Sequence, residues 1–194
     1  MEKLSETVPK KGIRKQDIES VNQVRSDEKK GIHKLFLEEL REIYWAEGAL
    51  TKVLHKMHKH ANSFELCDEL TRQLDVVKGH QLNIGKVFDM LDEKVDPARS
   101  RSVEGLIMQA EEFMDETKKG AVRDAGIISY ALKIKHFEIA AYVTLCFYAR
   151  TLGEEMAAGL LQISLDEENL ASEKLSQLIE SIRFELVNPV EGNG

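Results

Sequence analysis

Residues 132–142 read LKIKHFEIAAY. Leu132, Ile134, Ile139, Ala140 and Ala141 give this stretch the composition of a buried helix, yet Lys135, His136 and Glu138 stand at its centre. Ionised groups are costly to bury unless they are paired, hydrogen-bonded or bound to a metal. The stretch makes physical sense only if other helices bring polar residues of their own to the same level.

Helical periodicity extends outward on both sides. Phe36, Leu40, Ile43, Glu47, Leu50, Leu54, Met57 and Ala61 alternate spacings of four and three, which predicts a helix over 32–61. Ser63 is placed to cap a second helix over 64–92, with Leu66, Leu70, Leu74, Val77, Ile84, Phe88 and Leu91 on its apolar face. The run EKVDPARSRS, with Pro97, reads as a loop, and residues 103–118 as a short amphipathic helix. A third long helix over 121–151 carries Ile128, Leu132, Lys135, Ile139, Tyr142 and Cys146 in register, and Gly153 follows its end. The fourth, over 154–184, carries Leu161, Leu165, Glu168, Ser172, Leu175, Ile179 and Ile182; residues 185–194 form a tail. The short links make two antiparallel hairpins, and the long link between them can cross the molecule. That order predicts an all-α, ferritin-like four-helix bundle over 32–184. Residues 1–31, with eight Lys or Arg against six Asp or Glu and little apolar content, are expected to be a flexible charged arm, open to a protein partner.

At 194 residues and 42% hydrophobic content the chain suffices for one domain with a sizeable core. Its net charge of −7 argues against nucleic-acid and anionic-membrane partners, which need a basic face. No apolar run approaches the roughly 20 residues that span a bilayer. The first residues, MEKLSETVPKKG, lack the apolar core of a signal peptide, so the expected location is cytoplasmic. Cys67 and Cys146 are too few for a disulfide framework.

Each long helix interrupts its apolar stripe near the midpoint. Glu47 lies between Ile43 and Leu50, Lys135 between Leu132 and Ile139, and Glu168 between Leu165 and Ser172. On the second helix the phase leaves His80 or Gln81, between Val77 and Ile84. His80 lies 33 residues after Glu47, and Glu168 lies 33 after Lys135. In hairpins of similar loop length these residues meet at one height. Two chemistries would compensate such a layer. One is an iron or manganese ion held by Glu47, His80, Glu138 and Glu168. The other is an internal network setting Lys135 against Glu47 and Glu168. A dimetal site in this architecture takes a Glu from each of two helices and Glu-x-x-His from each of the others. No Glu-x-x-His occurs here: the residues three before the six histidines are Lys30, Lys52, His55, Met57, Val77 and Lys133. The ligand set therefore favours ion pairing.

The segments FLEELREIYWAEGALTKVLHKM (36–57), VEGLIMQAEEF (103–113), AVRDAGIISYALKIKHFEIAAYVTL (121–145) and LLQISLDEENLASEKL (160–175) resemble the bacterial YciE/YciF-type ferritin-like proteins. That resemblance implies a ferritin-like bundle, often dimeric, in the cytoplasm, associated with stress, with metal binding proposed from the fold. Carried over by position, it marks Glu47, His136, Glu138 and Glu168, with His80 as the local candidate on the second helix. The chain departs from the family pattern at Lys135, where the family has Glu, at Val76-Val77, at Ser172 and in the Cys that usually precedes Glu104-Gly105. The expected function is a non-enzymatic, stress-associated homodimer or partner-binding protein with a degenerate central metal site, Lys135 being ion-paired to core carboxylates. The alternative is a di-iron or di-manganese oxidase or peroxidase.

Overall fold

In the computed structural model, which describes residues 15–187 and the side chains of 23–182, five helices follow in the order α1 (Lys15–His60), α2 (Phe64–Met90), α3 (Arg101–Glu116), α4 (Ala121–Leu152) and α5 (Glu155–Val187). Among the described residues there is no strand. The four long helices and the short connector stand where their periodicity put them, within a few residues at each end except at the start of α1, which begins at Lys15 and not at 32.

Their ends follow from local chemistry. Ser63, in extended backbone, accepts a hydrogen bond from the Leu66 N–H and starts α2. Gly153 ends α4 at φ 86°, in the left-handed region that a residue without a Cβ occupies at little cost. The α1–α2 turn is held from outside. Asp124, buried in the first turn of α4, accepts the Asn62 N–H at 2.7 Å and the Ser63 N–H at 2.8 Å. Where α3 crosses α4, Gly126 admits the Phe113 ring; a Cβ there would lie 2.0 Å from it.

The expected flexible arm is corrected over part of its length. Residues 15–31 continue α1 without a break, whereas residues 1–14 and 188–194, including most of the expected tail, lie outside the described residues. The segment has no breaker before Gly31, and adding residues to an existing helix avoids the cost of a new nucleus. Side-chain pairs one turn apart run along it: Gln23 Nε2 lies 3.1 Å from Asp27 Oδ2 and Lys30 Nζ 3.5 Å from Asp27 Oδ1. Side chains from 23 to 30 are exposed, so this stretch projects past the core.

α1 packs against α2 and α4, α5 packs against α4 and α2, and α3 lies on α4 and α1. The apolar core is in two parts. One gathers Phe36, Leu40, Ile43, Ile84, Phe88, Leu145 and Leu161; the other gathers Leu50, Met57, Leu66, Leu70, Ile128 and Leu175. Between them, on all four long helices, the buried residues are polar. The buried face of α4 runs through Ala131, Lys135, Glu138, Tyr142, Leu145 and Ala149, so Glu138, and not Ile139, occupies the inner position.

Replacing Asp124 by Ala would leave the Asn62 and Ser63 N–H groups of the α1–α2 turn without their carboxylate acceptor. The expected loss is about 2–3 kcal/mol of unfolding free energy, measured by urea denaturation. An unchanged midpoint would show that the turn does not depend on this carboxylate.

Candidate functional site

The polar level between the two apolar clusters is built from one to three residues of each long helix. Glu47 (α1), His80 (α2), Lys135, Glu138 and Tyr142 (α4) and Glu168 (α5) are all essentially inaccessible to solvent. The phase of α2 turns His80 inward. Gln81 faces outward over Gly48, where a Cβ would meet its Nε2 at 3.1 Å. His136 is exposed on the far side of α4 and takes no part. The other four metal-ligand candidates, together with Lys135, come together.

Their contacts divide into two halves that share Glu168. In the first, Lys135 Nζ lies 2.8 Å from Glu138 Oε2 and 2.8 Å from Glu168 Oε2, and donates to Glu168 Oε1 at 3.0 Å. The Glu138 contact is an ion pair within α4, three residues apart on the same helix. In the second half, His80 Nδ1 lies 3.2 Å from Glu47 Oε1 and 3.3 Å from Glu168 Oε1, and His80 Nε2 lies 2.9 Å from Glu167 Oε2. The Tyr142 hydroxyl donates to Glu47 Oε1, and its ring meets the His80 ring edge to face. The expected Lys135–Glu47 pair does not form. Glu47 turns to His80 and Tyr142, because Glu138, one turn along on the same helix, reaches the ammonium first.

Sequence reasoning did not assign Tyr142 or Glu167 to this level. Tyr142 follows Glu138 by four residues on the inner face of α4, so its position signalled it, but an aromatic ring on a buried stripe carries no mark of its hydroxyl's partner. Glu167 stands outside the stripe and is half-exposed; only the direction of the His80 ring makes it a partner.

The charges explain the titration behaviour. Both ring nitrogens of His80 face carboxylate oxygens, and only the imidazolium donates from both. Burial pushes the His80 pKa down, but the hydrogen bond and charge of Glu47 and the charge of Glu168 outweigh it and raise it above 6.5. Desolvation opposes the charge on Lys135, but Glu138, Glu168 and Glu47 outweigh it and hold the ammonium charged. Burial and then the charge of Glu168 push the Glu138 carboxyl up, against the pull of the Lys135 ammonium beside it. The Tyr142 hydroxyl is likewise pushed up by burial and by Glu47.

A pair of dications does not fit this donor set. The Lys135 ammonium stands against two of the carboxylates such ions would need, and it remains charged. As the side chains stand, no three His, Cys, Asp or Glu among the described residues are arranged to hold a metal ion.

Residues 31–187 match the family described as Domain of unknown function (DUF892). The chain belongs to that family. It is similar to Protein YciF of Escherichia coli (strain K12), 35% identical over 150 residues that cover 77% of this chain and 90% of YciF. Two solved structures agree in fold. The crystal structure of the E. coli stress protein YciF superposes with a TM-score of 0.77 at 33% identity, over 79% of this chain and 98% of that one. YcfI from Rhodopseudomonas palustris superposes with a TM-score of 0.73 at 34% identity, over 75% and 92%. The YciF-type resemblance read from the sequence is thereby established.

The pH dependence of stability follows from the two raised groups. For His80 the contribution is complete below 6.5 and is lost as pH rises through its raised folded value. For Glu138 it is complete below 4.5 and is lost as pH climbs toward the raised value. Unfolding free energy should therefore fall as pH rises above 4.5 and further above 6.5, with a shallower fall above 6.5 in His80→Gln. Equal slopes in the two proteins would remove His80 from the account.

Proposed function

We propose that this chain is a non-enzymatic, stress-associated cytoplasmic protein, a ferritin-like four-helix bundle whose central metal site has degenerated into an ion-pair network. The observation that carries this reading is the Lys135 ammonium lying 2.8 Å from both Glu138 and Glu168. Side chains supply the positive charge that dications would supply elsewhere in the architecture, so the core is complete as a polypeptide. The stress association comes from the similar E. coli YciF, a stress protein. A di-iron or di-manganese oxidase would need the carboxylates that Lys135 engages.

The bundle acts as a homodimer or docks a protein partner. On the outward faces of α4 and α5, Val143, Phe147, Met156, Ile163 and Leu170 are each about half exposed or more. Met156, Ile163 and Leu170 repeat every seven residues, as an apolar seam for another helix does. The exposed, charged beginning of α1 offers a second docking surface.

Protein expressed with added iron and manganese, and purified without chelator, should contain far less than one metal ion per chain and should not consume peroxide. Stoichiometric metal with peroxide turnover that disappears in Glu47→Gln would overturn the non-enzymatic reading. In light scattering, Ile163→Glu should shift the protein from the dimer mass to the monomer mass. A monomeric parent protein would refute the dimer.

A further inference from the structure

A cleft lies on the outside of the bundle, where α3 runs beside α1. Contacts at the two ends of α3 set its register. Just before it, the Ala98 N–H donates to the Arg41 carbonyl at 3.1 Å. Near its end, Lys56 Nζ donates to Asp115 Oδ2 at 2.9 Å, an offset of 59 residues. The helices run in the same direction with the same rise of about 1.5 Å per residue. That offset therefore sets Glu104 level with Trp45, Ile107 with Gly48 and Glu111 with Lys52. All six residues line a cleft of about 460 Å³, within the roughly 300–1,000 Å³ of small-molecule sites. None of its lining belongs to α4 or α5, so it is separate from the polar level and from the exposed seam. Its middle is open because Gly48 and Ala49 fill little of it. One end is walled by two rings: Tyr44, held edge to face by Phe88, and Trp45, which rests on the core. Glu104, at that end, is already engaged, both oxygens accepting from Arg99 Nε at 2.8 Å. At the other end Lys52 and Glu111 share one height with opposite charge. Among the described residues neither has an ion-pair or hydrogen-bond partner.

We infer that this cleft binds a small zwitterion with a flat apolar body, a free aromatic α-amino acid: Lys52 meets its carboxylate, Glu111 its ammonium, and its ring lies along Ile107 toward Trp45 and Tyr44. Two unlike charges that line one cleft without meeting each other each have room for a ligand group of opposite sign. A ligand with a single charge would satisfy one of them and be repelled by the other. The ammonium and carboxylate of an α-amino acid are attached to the same carbon, so they suit two side chains at one height. Lys52 and Trp45 are seven residues apart, about 10 Å along α1, which leaves room for one ring between the charged end and the aromatic wall. Packing of the ligand ring against Trp45 and Tyr44 adds the preference for an aromatic body. The inference is independent of how the core is compensated.

The test is an NMR titration of the full chain labelled with ¹⁵N. Trp45 is the one tryptophan in the sequence, so a single indole N–H signal reports on the cleft. The probes are L-phenylalanine, phenethylamine, which lacks the carboxylate, and hydrocinnamate, which lacks the ammonium. L-Phenylalanine should shift the signal saturably, and each analogue should bind about tenfold or more weakly. Lys52→Gln should weaken L-phenylalanine and hydrocinnamate and leave phenethylamine unchanged; Glu111→Gln should weaken L-phenylalanine and phenethylamine and leave hydrocinnamate unchanged. Lys52 is exposed and Glu111 half-buried, so neither change threatens the fold. Gly48→Leu, which fills the middle of the cleft, should abolish the shift. No saturable shift with L-phenylalanine would overturn the inference. So would an analogue that binds as tightly as the amino acid, or L-phenylalanine binding that both charge variants leave unchanged. The non-enzymatic reading rests on Lys135 and would stand in each case.

Discussion

The structure depends on compensating charge at the level where four long helices meet. Glu47, His80, Lys135, Glu138 and Glu168 are removed from solvent between two apolar clusters. Any one of them alone would be strongly destabilising, because burial strips water from a charge and puts nothing in its place. Together they form a set in which each cation touches carboxylates from more than one helix. His80 links α2 to α1 and α5, and Lys135 links its own α4 to α5. Hydrophobic side chains of similar volume would tolerate small slips of one helix along another; this set does not, because a displaced partner leaves a bare buried charge. The polar level therefore specifies the height at which the helices align more than it adds to net stability.

The positive charge of this level is covalently part of the chain. An ammonium is a single point charge on a flexible stem, whereas a dication attracts several donors at once and fixes their geometry. Replacing one by the other changes what the core can do without changing its outline. The carboxylates keep their places, and burial pushes the pKa of one of them, Glu138, upward. The fold shared with YciF is thus compatible with a centre whose chemistry is structural. Fold similarity does not carry activity by itself, and a single side chain at the centre decides which chemistry is available.

Much of the organisation was legible in the sequence because periodicity is a strong signal over long helices. The equal 33-residue offsets in the two hairpins set Glu47 at the height of His80 and Lys135 at the height of Glu168, with His80 or Gln81 left open as the inward residue. The missing Glu-x-x-His and the lysine at 135 pointed to ion pairing. The charged beginning of α1 was less legible. Its composition resembles that of a flexible arm, and the helical state of residues 15–31 comes from continuity with the helix that follows.

What the chain alone determined, then, was the number and order of its helices, the identity of the charged residues that had to share a core, and the kind of solution they required. Tertiary structure decided the pairings. Whether His80 or Gln81 faces inward depends on a rotation of α2 that a mixed stripe does not define. Whether Glu138 or Ile139 lines the core depends on a similar rotation of α4. That Tyr142 and Glu167 complete the site, and that Glu47 turns to His80 instead of Lys135, depends on distances between side chains on different helices. Helical periodicity constrains position along and around one axis. It carries no information about which of several nearby carboxylates a given nitrogen will meet, and that choice is made only when the helices have packed.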